Sequence, residues 1–135
     1  MESYVLDTSA LIALRCNERG ADQVEEILLG AKSGKTIACA SFISFMEVLY
    51  SVWRSEGKGP AIESYLQLKA LPLERVDVSE ELILLAGEIK ASNSLSLADS
   101  WVAATAIQRK AVLVHKDPEF EQLKGRITLQ PLPYK

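Results

Sequence analysis

The sequence predicts an α/β fold, a single-domain α/β/α sandwich with a central parallel, Rossmann-like sheet. Three observations predict it. Short apolar runs that read as buried strands alternate with helical patterns from end to end, which is the signature of βαβ units. The chain of 135 residues suits one domain, and its 48% hydrophobic content can fill a substantial core. No internal repeat, low-complexity stretch or domain linker divides it, so residues 1–135 are expected to form one unit.

The elements follow in order. A first strand over about 3–6 (Tyr4-Val5-Leu6) runs into a short helix from Thr8 to about Leu14. Val24, Ile27, Leu28 and Ala31 have helical spacing and predict a second helix over roughly 20–32, with Gly34 ending the turn before strand Thr36-Ile37-Ala38-Cys39. Ser41 can cap a long helix that reaches about Glu56 and stops at Gly57. Gly59-Pro60 opens another helix with Ile62, Tyr65 and Leu66 on one face, and Leu73 to Val76 reads as a short strand. Ser79 caps a helix with the stripe Leu82, Leu85, Ala86 and Ile89; a polar linker over 91–94 leads to a helix from about Ser96 to Arg109. Strand 111–114, a turn of helix after Asp117 and a last strand near Ile127-Thr128-Leu129 complete the pattern.

Composition narrows the function. No apolar run approaches the ~20 residues that span a bilayer, and the N-terminus lacks the regions of a signal peptide. Cys16 and Cys39 form no CxxC pair and read as free, buried thiols in a reducing cytoplasm. With His115 the only histidine, a zinc site is not indicated. The net charge of −3, from 15 basic and 18 acidic residues, argues against a nucleic-acid partner. Setting aside four acids that are candidates for a metal site leaves 15 basic against 14 acidic residues, and a bound cation removes that objection.

Those four are Asp7, Glu47, Asp99 and Asp117, each at a junction of the pattern. Asp7 and Asp117 follow buried strands, Asp99 lies in the first turn of a helix, and Glu47 is the single acid in the apolar run from Ser41 to Tyr50. Each also has a structural reading. Asp7 can be an N-cap, Asp117 before Pro118 has the cap-plus-proline signature, Asp99 stands three residues after Ser96, and Glu47 shares a helical stripe with Ser44, Ser51, Arg54 and Ser55. Capping and chemistry are compatible, because helix starts at the carboxyl edge of a parallel sheet are where ligands collect. Four carboxylates brought together there repel one another unless protons or a cation neutralise them, and Mg²⁺ or Mn²⁺ are the hard ions that oxygen donors prefer.

At Leu6-Asp7-Thr8-Ser9-Ala10-Leu11, at Ser41 to Tyr50, at Leu95-Ser96-Leu97-Ala98-Asp99 and at Val112 to Phe120 the chain resembles the PIN-domain family, above all the small stand-alone ribonuclease toxins of VapBC toxin–antitoxin pairs. The resemblance runs over nearly the whole chain. It implies Mg²⁺- or Mn²⁺-dependent endoribonuclease activity, an RNA substrate, homodimerisation and inhibition by a partner antitoxin. By position, Asp7, Glu47, Asp99 and Asp117 match the family's acidic quartet, and Ser9 matches the hydroxyl that helps to bind metal or water. We assign Asp7 and Asp99 as principal metal ligands and Glu47 and Asp117 as outer ligands or water-orienting groups. In such chemistry water attacks the phosphorus in line, and one or two cations lower its pKa and stabilise the leaving oxygen. His115 departs from the family, which usually has Thr or Ser two residues before the last Asp. Strand alternation places residues 115 and 117 on one side, so His115 is expected to face the carboxylates as an imidazolium of raised pKa, in an auxiliary role.

Phe42, Phe45, Met46, Tyr50 and Trp53 crowd one helix; most are expected in the core and some on a dimer or antitoxin surface. Trp101 is expected in the core. Arg15, Arg54, Lys58 and Lys116 are either solvated or on an RNA path. Other readings differ in named residues. A receiver-like phosphoacceptor domain needs an adjacent acidic pair after the first strand, and a haloacid-dehalogenase-type phosphatase needs Asp-x-Asp, whereas Asp7 precedes Thr8 and Ser9. A non-catalytic PIN-like module that binds RNA or protein is the main alternative.

Overall fold

The computed structural model describes residues 1–135. Five strands form one wholly parallel sheet: β1 (Glu2–Leu6), β2 (Thr36–Ser41), β3 (Glu74–Val76), β4 (Val112–His115) and β5 (Leu129–Pro131). Their order is β3-β2-β1-β4-β5. Six α-helices connect them: α1 (Thr8–Arg15), α2 (Ala21–Lys32), α3 (Phe42–Glu56), α4 (Lys58–Ala70), α5 (Glu80–Ser92) and α6 (Leu97–Arg109), with a 3-10 helix at Pro118–Leu123.

Strand alternation builds the three layers. Leu6, Ala38, Ala40 and Val114 point to a core shared with α1 to α4, through Leu11, Val24, Leu28, Phe45, Val48 and Val52. Val5, Cys39 and Leu113 point the other way, to Leu82, Ile89, Val102 and Phe120 beneath α5, α6 and the 3-10 helix. Central strands covered on both faces carry apolar side chains at nearly every position, as parallel sheets do.

The switch point of the sheet lies between β1 and β4. From β1 the chain winds outward through β2 and β3, then crosses to β4 on the other side of β1. The loops after β1 and β4 therefore diverge from neighbouring strand ends and leave a crevice between them.

Several boundaries differ from the sequence-based expectation for local reasons. The last strand begins at Leu129 rather than near Ile127, because the Ile127 N–H is used in a turn onto the Leu123 carbonyl. β4 begins at Val112, because Lys110 turns left-handed (φ 50°) and the Ala111 N–H closes α6 onto Ala106. α4 starts at Lys58, so Pro60 sits within its first turn, where a missing N–H costs nothing. On α3 only Phe45 of the five crowded large side chains is fully buried. Met46, Tyr50 and Trp53 are 43–47% exposed, so the expectation that most of the five lie in the core is corrected. Phe42 and Trp101 meet edge to face at the margin of the core, half-buried. Cys39 is buried, its thiol pushed up to about 11 by burial, but Cys16 is exposed, contrary to the expectation of two buried thiols. No helix is long and apolar enough to cross a membrane.

Gly20 caps α2 with φ 100°, and a Cβ there would stand 2.9 Å from Leu132 Cβ. Gly20→Ala combines a left-handed backbone with a clash against a buried leucine. It is expected to cost about 2 kcal/mol of unfolding free energy, measured by urea denaturation at constant m-value. A loss below about 0.5 kcal/mol, the size of an ordinary surface change, would contradict this account.

Candidate metal centre

Asp7 ends β1 and caps α1. The sequence folds this way because a β-region aspartate before Thr8-Ser9 accepts the Ser9 N–H at 3.0 Å. The same oxygen, Oδ2, accepts the Ser9 hydroxyl in a short bond. Oδ1 is buried and has no partner. Asp7 is 3% exposed, and burial pushes its pKa up to about 6 against the lowering effect of the Ser9 bonds, with the Glu47 charge adding to the rise. Ser9 Oγ also accepts the Lys116 N–H at 2.8 Å, which ties the loop after β4 to the loop after β1.

Asp99 comes from the first turn of α6, where its N–H is held by the Ser96 cap at 3.1 Å. Its pKa is pushed up to about 8 by burial, then by the charge of Asp7, a hydrogen bond with Asp117 and the charges of Asp117 and Glu47. Asp117 caps the 3-10 helix by accepting the Glu119 N–H at 3.0 Å, and Pro118 fills the first helical position. Carboxylate oxygens of Asp99, Asp117 and Glu119 lie within 4.8 Å of one another and could hold a metal ion. Glu47 reaches in from α3, its Oε1 accepting the Thr8 hydroxyl at 2.6 Å, and Ser44 Oγ lies 2.9 Å from that hydroxyl.

All four predicted carboxylates line one open cavity of about 500 Å³ at the carboxyl edge of the sheet, with Ser9, Thr8, Lys116 and Tyr134. Ser9 is in place, bridging Asp7 to the backbone of residue 116. His115 is not at the cavity: its ring is wholly buried on the Phe120 side of β4, with ring centroids 5.2 Å apart, and burial lowers its pKa despite the nearby Asp117 and Glu121 charges. The expected imidazolium facing the carboxylates is therefore corrected, because at the end of β4 alternation sends residue 115 to the α6 face and the chain then turns.

Two contributors escaped the sequence reading, and a third, Lys116, was named there without its partner. Glu119 joins the acidic group through an Asp-x-Glu spacing on a 3-10 turn, a signal present in the sequence but also ordinary at helix starts. Thr8 orients Glu47, a contact across 39 positions that no local pattern reveals. Lys116 is not a solvated lysine: its side chain is 5% exposed, and its Nζ donates to Glu18 Oε1 at 3.1 Å and to the Arg19 carbonyl at 2.9 Å. Lys135 pairs with the other Glu18 oxygen at 3.1 Å. Burial opposes ionisation of Glu18, but these two ammonium groups outweigh it and hold its pKa below the usual value. Arg15 is instead engaged by Glu56 and Ser64, and Arg54 stacks over Tyr50, so neither lines the cavity.

Fold and site together define a parallel α/β protein with an acidic crevice at its switch point. The chain belongs to the PIN domain family, whose sequence model matches residues 4–126. No curated relative matches it by sequence. Among solved structures it is similar to VapBC2 from Rickettsia felis bound to a DNA fragment from its promoter, with 24% identity, 97% of this chain and 99% of that chain covered, and a TM-score of 0.76. DNA-bound VapBC from Salmonella typhimurium gives 22% identity, coverage of 97% and 98%, and a TM-score of 0.76. VapC20 from Mycobacterium tuberculosis, a sarcin-ricin loop cleaving toxin, gives 15% identity, coverage of 88% and 93%, and a TM-score of 0.69. These likenesses establish a shared fold.

The raised pKa values have a thermodynamic consequence. Asp7 and Asp99 hold protons more tightly folded than unfolded, so their contribution favours the folded state at low pH. It is lost as pH rises from about 4 to about 8. In EDTA, Asp99→Asn should match wild type in Tm near pH 4 and become progressively more stable than it toward pH 8, read by calorimetry across that range. A difference that stays constant with pH would contradict the assigned burial and repulsion.

Proposed function

We propose that this chain is a divalent-metal-dependent endoribonuclease that hydrolyses RNA phosphodiester bonds in the cytoplasm, as the toxin of a toxin–antitoxin pair. The observation that carries the reading is the buried, unpartnered Oδ1 of Asp7 among converging carboxylates. A buried anionic oxygen without a donor is costly unless a cation or a proton meets it. The donor set is all oxygen, which suits Mg²⁺ or Mn²⁺. Asp7 and Asp99 would be the principal ligands, with Asp117, Glu119 and Glu47 completing the set directly or through water. When bound, the cation would acidify water and neutralise charge developing on the phosphoryl group.

The chain's own residues do the rest. Ser9 fixes the Asp7 carboxylate so that one oxygen is occupied and the other is left for the cation. Thr8 holds Glu47 at the mouth, where it can orient a water and accept its proton. Lys116 and Lys135 also line the cavity and bring positive charge to it, partly neutralised by Glu18, which suits the phosphates that flank the scissile bond. RNA is the substrate class we favour because the sarcin-ricin loop cleaving toxin shares this fold and because no side-chain nucleophile is needed. Asp99→Asn keeps size and shape but removes one charge. It is expected to leave the fold intact and reduce cleavage of structured and unstructured RNA by about 10²-fold or more, and EDTA should do the same to wild type. Undiminished cleavage in either case would refute the metal-dependent reading. Absence of cleavage by wild type with Mg²⁺ and Mn²⁺ would favour a binding module.

Partners follow from α3. Met46, Leu49, Tyr50 and Trp53 form an apolar surface, and α4, packed against α3, leaves Ile62 and Leu66 exposed. Large exposed apolar patches mark interaction sites. We assign this face to a second copy of the chain and to an antitoxin, in keeping with the VapBC complexes of like fold. Sedimentation at micromolar concentration should give a dimer that Trp53→Glu dissociates; a wild-type monomer would remove this assignment while leaving the catalytic one standing.

A further inference from the structure

Beyond the end of the β4 ladder, the backbone that carries Asp117 has no sheet partner. The His115 carbonyl still accepts the Leu132 N–H at 2.7 Å. From there every available N–H is held by a side chain: Lys116 N–H by Ser9 Oγ at 2.8 Å, Asp117 N–H by His115 Nδ1 at 3.1 Å and Glu119 N–H by Asp117 Oδ1 at 3.0 Å. Pro118 has no N–H. Three of these acceptors decide where the loop goes, and one is an imidazole.

The imidazole does a job that Asp, Asn, Ser and Thr usually do, accepting the N–H two residues ahead. This protein uses that device at three other places: Asp7 takes the Ser9 N–H, Ser41 the Ile43 N–H and Asp117 the Glu119 N–H. At residue 115, where the resembled family usually has Thr or Ser, Nδ1 takes the place of a hydroxyl oxygen. Because Nδ1 accepts, the ring proton of the neutral histidine sits on Nε2. That N–H is buried and has no partner. An unpaired buried donor costs stability, and the ring is otherwise packed edge to face on Phe120 and tilted against Tyr134. A phenyl ring would fill the same space without that cost. Packing alone therefore gives no reason for histidine here; the Nδ1 acceptor does.

We propose that His115 is a positioning residue for Asp117: its Nδ1 holds the Asp117 N–H and thereby sets the backbone from which the Asp117 carboxylate reaches the acidic crevice. The proposal rests on the metal-site reading above, because Asp117 matters there as a ligand. It predicts a crossed result. His115→Phe keeps the ring and removes the acceptor. Its Tm should equal or exceed that of wild type, its Asp117 amide should exchange faster with solvent, and its Mn²⁺ affinity should fall about 10-fold, the size of effect seen when a partner behind a metal ligand is lost. His115→Asn places an amide oxygen near the Nδ1 position but leaves space in the core. Its Tm should fall by about 5 °C or more, while its Asp117 amide stays protected and its Mn²⁺ affinity stays within about 3-fold of wild type.

Mn²⁺ binding is read by electron paramagnetic resonance on the purified full chain, and amide exchange by NMR on the metal-free protein. A His115→Phe variant that binds Mn²⁺ like wild type, with its Asp117 amide equally protected, would overturn the proposal. So would variants whose Mn²⁺ affinity follows Tm rather than the presence of an acceptor. If His115→Asn does not fold, His115→Thr supplies the second acceptor. If wild type binds no Mn²⁺, the metal reading falls, and the exchange of the Asp117 amide in His115→Phe decides the role of His115 by itself.

Discussion

A single hydroxyl joins the two halves of the crevice. Ser9 Oγ donates to Asp7 after β1 and accepts the Lys116 N–H after β4, so two loops that diverge from adjacent strands are held at a fixed separation. The carboxylates they carry repel one another, and nothing in their own chemistry would keep them close. What keeps them close is backbone: Asp7, Asp99 and Asp117 each stand at a helix start whose hydrogen bonds are already made, and the Asp7 N–H is itself bonded to the Val114 carbonyl at 3.0 Å. Burial first, and then this repulsion, raise the proton affinity of the carboxylates, most of all at Asp99.

Much of this was legible along the chain because caps and buried strands are local signals. Asp7, Ser41, Ser79, Ser96 and Asp117 were all readable as helix starts, and each accepts the backbone N–H that the reading requires. The parallel sheet followed from the alternation of strands and helices, and the convergence of the acids from where such sheets bind ligands. What failed depended on geometry beyond an element's end. His115 was placed by counting strand alternation outward, but the last residue of β4 points toward Phe120 before the chain turns. Some of the apolar side chains on this helix were expected at a surface, but which ones, Met46, Tyr50 and Trp53, was not legible, because an apolar helix face looks the same in sequence whether the domain or a partner covers it. Lys116 with Glu18 escaped because a buried ion pair across 98 positions leaves no periodic trace.

The cavity is electrically mixed. It is lined by the four carboxylates and also by Lys116 and Lys135, which share Glu18. Glu18 neutralises part of that charge, but it also fixes the Lys116 ammonium, which keeps little freedom at 5% exposure. A ligand entering the cavity would meet both carboxylates and ammonium groups. The overall charge of −3 conceals this arrangement, because setting aside the four carboxylates of the site leaves 15 basic against 14 acidic residues.

The placement of the crevice between β1 and β4 also has a consequence for biosynthesis. Asp7 is made 110 residues before Asp117, and they meet only when β4 pairs with β1 in the centre of the sheet. Until then β1 can pair only with β2, and a chain still emerging from the ribosome has at most part of the acidic set in reach. Whatever the acidic set does, it can do only after the second central strand has arrived.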